Sequence, residues 1–304
     1  MRRLGGKPKE GRGISRAAAA ILMFALFLIS AAALEAYRCA HGFITVRYRI
    51  GSEKLTAPVR VAMLSDLHES EFGPGNADLI EAVRGLSPDL ILCVGDMASR
   101  GATERDLEVP VHLMRELCRI APVYVSPGNH EADYVKDKGV GVYRAYERAG
   151  AVLLDRRFED LVINGQPLRL GGIFGYCFPY GQSSEAFAAS SAGRFISSFE
   201  DTDSFKLLMC HKPTDYCLES EKEYFLDPDV DLVLSGHTHG GLWRLPFVGT
   251  PFLPQQGFFP KLDHGQKQVG GAVMIIGAGL GHKSLLFRLF DPCELVLIEL
   301  APLE

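Results

Sequence analysis

Leu234-Ser235-Gly236-His237-Thr238-His239-Gly240-Gly241 is the stretch on which the reading of this chain turns. It closes an apolar run that begins at Val230, and it sets two histidines two positions apart between glycines. In extended backbone, residues i and i+2 project to the same side, so the two imidazoles form a ready pair of metal ligands. The flanking glycines let the backbone turn tightly and let another group come close. One His-x-His is weak on its own, because surface loops carry it by chance. Its weight comes from four earlier fragments built the same way.

Upstream, residues 59–64 end in Ser65-Asp66-Leu67-His68, and residues 89–94 end in Gly95-Asp96. Residues 122–125 lead into Gly128-Asn129-His130-Glu131, and residues 205–210 end in His211-Lys212-Pro213. These apolar runs show no strict period, as expected of strands buried on both faces. Between them, residues 76–86, 104–119 and 140–149 space their apolar side chains as helices do, with Leu79, Ile80, Val83 and Leu86 on one side of the first. The second half offers short strands at 151–154, 161–163 and 168–174, with Asn164-Gly165 as a hairpin turn. It also offers a surface helix at 185–199 and closing strands at 231–234, 270–276 and 294–300. Sites in open α/β sheets form outside the carboxyl ends of the strands. Adjacent strands would therefore gather Asp66, His68, Asp96, Asn129, His130, His211, His237 and His239 into one crevice.

That set is chemically specific. Mixed imidazole and carboxylate ligands suit zinc, iron or manganese, whereas calcium and magnesium prefer oxygen alone. One zinc needs only about three or four protein ligands. Two divalent ions about 3.5–4 Å apart, sharing a carboxylate, would use the whole set. Such a pair lowers the pKa of a bound water and clamps oxygens during in-line displacement at phosphorus. A neighbouring histidine can protonate the leaving alkoxide.

In this order, Asp66-Leu67-His68, Gly95-Asp96, Gly128-Asn129-His130-Glu131, the lone His211 and Gly236-His237-Thr238-His239 resemble the motif blocks of the calcineurin-like metallophosphoesterases, over residues 59–300. GHTHGG followed by Trp243-Arg244-Leu245-Pro246, with Gly279-Leu280-Gly281 and Arg288-Leu289-Phe290-Asp291-Pro292, is similar to the membrane-anchored bacterial YkuE/YaeI-like branch. The resemblance implies an α/β fold, a four-layer α/β/β/α sandwich, and a centre of two divalent metal ions (Mn, Zn or Fe). It implies that Asp66, His68, Asp96 and His239 hold one ion, that Asp96, Asn129, His211 and His237 hold the other, and that Asp96 bridges. It also implies that His130 is the catalytic histidine, acting as acid or phosphate-orienting group rather than as ligand. The expected activity is hydrolysis of a phosphomonoester, phosphodiester or pyrophosphate bond. His282-Lys283 and the 175–178 segment match nothing in the pattern and lie where substrate contacts could form.

The N-terminus adds a location. Residues 1–16 carry Arg2, Arg3, Lys7, Lys9, Arg12 and Arg16 against Glu10, and residues 17–34 carry no charge. An apolar run of that length sits at the lower limit for a membrane span. A basic flank stays cytoplasmic by the positive-inside rule. The expected organisation is a basic tail at 1–16, a transmembrane anchor at 17–36, a connector at 37–56 containing an edge strand, and the phosphoesterase domain at 57–304. The domain would then lie outside the cytoplasm on a single-pass anchor. A cleaved signal peptide competes, since Ala31-Ala32-Ala33 offers small residues at the right place. The anchor favours a lipid-linked or cell-envelope substrate.

A chain of 304 residues with net charge −5 and 47% hydrophobic residues is globular. Its slight acidity argues against nucleic acid as partner. The odd set Cys39, Cys93, Cys118, Cys177, Cys210, Cys217 and Cys293 has no CxxC pair and forms no disulfide framework. All seven read as structural, and free thiols sit more easily in a reducing compartment than outside the cell. Two other functions compete: a metal-binding scaffold or sensor without turnover, which would lack His130, and a nuclease of the same family, which would show a basic groove.

Taken singly, the fragments have ordinary explanations. Asp66 could cap a turn, Asp96 and Asn129 could serve turns, and His211 could be a core histidine. Glu131 reads as a helix-start residue that favours the dipole. His41, His112, His264 and His282 match no block and read as surface residues. The aromatic stretch Phe247 to Phe259 is either a packed loop or a hydrophobic rim.

Overall fold

The computed structural model describes residues 15–174, 186, 188–216, 228–281 and 287–303. Most of the basic tail, Cys177, Cys217, the 175–178 segment and His282-Lys283 lie outside the described residues.

Helix α1 (Arg16–His41) leads directly into strand β1 (Phe43–Ser52). The helix continues past the apolar run that ends at Leu34. Arg38 pairs with Glu35 one turn back at 2.8 Å, and the Gly42 N–H closes the end on Arg38 O at 3.0 Å. The alternation read at 41–50, within the connector, is the edge strand β1, and it pairs in parallel with β14 (Cys293–Pro302).

Strands β2 (Val59–Leu64), β3 (Leu90–Val94), β4 (Val123–Ser126) and β5 (Val152–Leu153) run parallel. With β14 antiparallel to β2 they form a sheet in the order β1-β14-β2-β3-β4-β5. The second sheet has the order β12-β13-β9-β8-β7-β6. Its members are β6 (Arg157–Ile163), β7 (Gln166–Ile173), β8 (Phe205–Cys210), β9 (Leu232–Ser235), β12 (Gly265–Val269) and β13 (Ala272–Ile276). Asn164 and Gly165, both at positive φ, turn β6 into β7 as the sequence indicates. A two-residue hairpin, β10 (Phe252–Leu253) with β11 (Gly257–Phe258), stands apart from both sheets.

Alternation within β2 and β3 explains the layers. Val61, Met63, Leu90 and Leu92 meet Leu207, Leu232 and Leu234 between the sheets. Ala62, Leu64, Ile91 and Cys93 point the other way, onto Leu79 and Val83 of α2 (Ala77–Leu86) and Leu113 and Met114 of α3 (Glu104–Leu117). Each such buried side chain stabilises the fold by about 1.5–3 kcal/mol. Beyond the second sheet, Phe195 and Phe199 of α6 (Ser191–Glu200) cover Leu208 and Val233. The result is the expected four-layer α/β/β/α sandwich.

The sequence marked the start of one helix at Glu131 but not its extent. Helix α4 (Asn129–Lys138) carries little beyond Tyr134 and Val135 as an apolar face, so periodicity does not reveal it. It precedes α5 (Gly141–Ala149) directly across Gly139 and Val140. The β12 strand, GQKQV, escaped for the same reason: a polar edge strand lacks a strong pattern.

Candidate metal centre

The carboxyl ends of β2, β3, β8 and β9 and the amino end of α4 meet at one edge of the two sheets. Each chain turns there through unusual backbone: φ is 52° at Asp66, 47° at His68, 53° at Asp96, 70° at His237 and 49° at His239. Non-glycine residues avoid that region, and its occupation marks functional sites held by their surroundings. The holding contacts run between the strand ends. Asp66 N–H donates to Gly95 O at 2.9 Å, His68 N–H to Asp96 O at 3.2 Å, and His237 N–H to Asp66 Oδ1 at 3.0 Å. A Cβ at Gly128 would collide with the Asp96 carboxylate, and one at Gly236 with that of Asp66, so hydrogen alone fits.

Three groups of ligand-type atoms lie within 4.8 Å of one another: Asp66, His68 and His239; Asp96, His211 and His237; and His68, Asp96 and His130. The first two fall within the two expected ligand sets, the first without Asp96 and the second without Asn129. Asp96 is central: its Oδ2 lies 3.0 Å from His211 Nε2, 3.9 Å from His68 Nε2 and 4.0 Å from His130 Nε2. Asp66 Oδ1 is 3.8 Å from His239 Nε2 and 3.9 Å from His211 Nε2. The sequence set His130 apart from the ligands, yet here it adjoins His68, with ring centroids 4.7 Å apart. Asn129 begins α4 beside it, and its Oδ1 is buried with no hydrogen-bond partner.

Electrostatics favour cations at this edge. Asp66 and Asp96 are both buried, and buried carboxylates need compensating positive charge. Burial, offset by His211, pushes Asp66 up to about 6. Burial also acts to raise Asp96, but the charge and hydrogen bond of His211, with His68 and His130, hold it below the carboxylate range. His211 is raised to about 10 against its burial, because Asp96 and Asp66 both face it. Burial and the His211 charge lower His237 to about 3, and burial with the His68 charge lowers His239 well below the usual range. The neutral imidazoles of His237 and His239, the paired carboxylates and the orphaned His239 Nδ1 and Asn129 Oδ1 fit divalent ions.

The ring tautomers are set by fixed backbone groups. His211 Nδ1 lies 2.8 Å from Val94 O, which can only accept, so Nδ1 carries a hydrogen and Nε2 is the nitrogen turned toward Asp96. The opposite holds for His130. Arg100 N–H donates to its Nδ1 at 3.1 Å, so the neutral ring keeps its proton on Nε2, the nitrogen nearest Asp96.

Several supporting residues were missed in the sequence. Glu131 is a helix-start residue, but its fully buried carboxylate also accepts from Asp96 N–H, Ala98 N–H, Gly128 N–H and Tyr146 Oη–H. Burial and the Asp96 charge raise it to about 7. Its position three residues after Gly128, at N3 of α4, was the available signal. Arg288 is fully buried and donates to Ala278 O at 2.7 Å, Gly281 O at 3.0 Å and the Asp291 carboxylate at 3.2 Å. Gly281 N–H in turn donates to Asp66 O at 2.7 Å. Gln255 brings its Nε2 to 2.9 Å from His237 Nε2, a contact that spacing could not reveal.

One surface assignment needs comment. His264 is not a free surface residue: its Nε2 sits 2.8 Å from the buried Glu294 carboxylate. His41 and His112 are both exposed, as read. Among the described cysteines, Cys39, Cys93, Cys210 and Cys293 are buried and Cys118 is half-buried, all as free thiols.

Residues 59–241 match the family model described as calcineurin-like phosphoesterase. The chain is similar to the phosphodiesterase YaeI of Escherichia coli (strain K12), with 29% identity covering 70% of this chain and 72% of that one. It is similar to the uncharacterized metallophosphoesterase YkuE of Bacillus subtilis (strain 168), with 27% identity covering 79% of this chain and 78% of that one. A Caenorhabditis elegans protein named as a metallophosphoesterase, F40B5.2, is 28% identical over 79% of this chain, which spans about half of that protein, 48%.

Proposed function

This chain belongs to the calcineurin-like phosphoesterase family and is a metal-dependent phosphoesterase, and on that premise we propose that it hydrolyses a phosphomonoester, phosphodiester or pyrophosphate bond at a centre of two divalent ions. Asp66, His68, Asp96 and His239 hold one ion, and Asp96, Asn129, His211 and His237 hold the other. The observation that carries this reading is the convergence of the Asp66 and Asp96 ligand groups on the single buried carboxylate pair. Manganese, zinc or iron suits the mixed donor set and supplies Lewis acidity and a water of lowered pKa.

The chain's own residues do the rest. Asp96, buried between His211 and His68, is the carboxylate placed to serve both ions. The Val94 carbonyl orients His211, and the Asp66 carboxylate fixes the backbone of His237. His130 holds its proton on Nε2 and is partly exposed at the mouth, where that N–H can hydrogen-bond and orient the phosphate or the departing oxygen of the substrate. Helix α1 is long and apolar enough to cross a membrane, and we read it as the anchor that places the domain outside the cytoplasm. A lipid-linked or cell-envelope ester suits that location.

The test is hydrolysis of bis-p-nitrophenyl phosphate and p-nitrophenyl phosphate by the full chain, stripped of metal and then given Mn, Zn or Fe. Metal-dependent turnover that falls about 100- to 10,000-fold in His130→Ala, with metal retained, supports the reading. Metal binding without turnover on any phosphate ester would favour a scaffold instead.

A further inference from the structure

We propose that the metal centre opens onto the membrane surface and takes its phosphate ester from a lipid held in the bilayer. The proposal rests on the hydrolase reading above and on α1 as a span, and it adds an orientation and a substrate class.

Three observations place the mouth and the tether on one edge. The first is strand register. Phe43, just beyond α1, pairs with Cys293 at the start of β14, and Val296 of β14 pairs with Met63 near the end of β2. The foot of α1 therefore stands at the sheet edge where β2 delivers Asp66 and His68. The foot is fastened there: Cys39 is buried, and Cys293 Sγ–H donates to Cys39 O at 3.4 Å. The apolar length of the helix leaves the domain without covering it, with Ile21 and Leu34 each 70% exposed.

The second observation is the rim. The segment that follows His239 and Gly241 turns back over the same edge and exposes Phe247 fully, Phe258 by 77% and Phe259 by 66%. Three aromatic rings in one short segment around the β10–β11 hairpin form an apolar projection that water disfavours. Such rings settle at the headgroup level of a bilayer. The segment is also bound to the metal centre, since Gln255 within it reaches His237 at 2.9 Å.

The third is continuity between rim and tether. Arg244 N–H donates to Leu289 O at 3.0 Å, Leu289 N–H donates to Leu242 O at 2.7 Å, and Arg244 pairs with the Asp291 carboxylate at 2.5 Å. Asp291 lies two residues before Cys293, which touches the foot of α1. Rim and tether thus belong to one packed unit, and a tether that holds the rim beside the bilayer raises its effective concentration there. A soluble phosphate ester needs none of this. An ester whose acyl chains remain in the bilayer and whose phosphate rises to the headgroup level meets all of it. In the reaction, water oxygen forms the new P–O bond and loses a proton, the lipid ester P–O bond breaks, and the released alcohol oxygen gains one proton in exchange, so that water is divided between the two products.

The sole tryptophan, Trp243, is a built-in probe, with its ring centroid 5.5 Å from that of Phe287 at the same edge. The full chain is reconstituted in vesicles of phosphatidylcholine brominated along its acyl chains. Trp243 emission is expected to be quenched relative to unbrominated vesicles, and less so in the triple variant Phe247→Ser, Phe258→Ser, Phe259→Ser. The ratio of phospholipid hydrolysis to bis-p-nitrophenyl phosphate hydrolysis is expected to fall by about tenfold in that variant. Unquenched Trp243 in the unsubstituted chain, or an unchanged ratio, would overturn the proposal. Quenching in a protein that hydrolyses no phosphate ester would instead refute the hydrolase reading, leaving the orientation standing.

Discussion

Glu131 Oε2 accepts the backbone N–H of Asp96 at 2.8 Å, from beneath the carboxylate that faces His211, His68 and His130. The same carboxylate ties down Gly128 and Ala98 and receives the Tyr146 hydroxyl at 3.1 Å. Four donors converge on one buried acid, so its oxygens are a template for the β3 and β4 turns. In Glu131→Gln an amide N–H₂ would face two N–H donors. The variant is expected to lose about 1–3 kcal/mol of stability in urea titration and to bind metal about 10- to 100-fold more weakly. Unchanged metal affinity would confine Glu131 to a structural role.

Arg288 links the last loop to the first ligand. Arg288→Met would leave Asp291 buried with Arg244 alone and would release the carbonyls of Ala278 and Gly281. A loss of about 3–5 kcal/mol is expected, as for other broken buried pairs. Because Gly281 N–H also fixes Asp66, metal affinity should fall too. Denaturation with and without added Mn separates the two effects, and equal losses in both would show that the loop does not act through Asp66.

Glycine substitutions should discriminate sharply between places. A Cβ at Gly236 meets the Asp66 carboxylate and Ser65, whereas one at Gly85 in α2 meets nothing within 4 Å. Gly236→Ala should abolish metal binding. Gly85→Ala should stabilise by about 0.5–1 kcal/mol, as expected inside a helix. Urea midpoints and metal titrations of the two variants, taken side by side, check this.

The residues that cluster at the sheet edge were legible in the sequence because chemistry at a sheet edge writes itself locally. A buried strand is an unbroken apolar run, and Asp66, Asp96, His211, His237 and His239 each stand just past the end of one. The supports were not legible, because they act across the fold. Glu131 looks like any acidic residue in a first helical turn until Asp96 and Ala98 are brought over it. Arg288 stands in the quoted Arg288-Leu289-Phe290-Asp291-Pro292 segment, but only its full burial shows its use. Helix α4 was hidden for a third reason: NHEADYVKDK is polar nearly all round, and tertiary contacts rather than amphipathicity make it helical.

Glu294 gives a pH dependence of known sign. Burial acts to raise its carboxyl, but the hydrogen bond from His264 and the charges of His264 and Arg244 outweigh that and hold it below its usual range. A carboxyl lowered by folding contributes stability above its unfolded pKa of about 4.3, and that contribution is lost as pH falls. The unfolding free energy of the unsubstituted chain should therefore drop more steeply between about pH 5 and pH 3 than that of Glu294→Gln. Parallel curves would show that the His264 contact contributes nothing net.

The sharing of two ions through Asp96 is tested most directly by counting them. Native mass spectrometry of the full chain in detergent, loaded with Mn or Zn, is expected to show about two ions per chain, as a two-metal site requires. Asp96→Asn is expected to lose both ions together with turnover of bis-p-nitrophenyl phosphate. Full turnover with a single ion bound, or two ions and full turnover in Asp96→Asn, would contradict a shared centre.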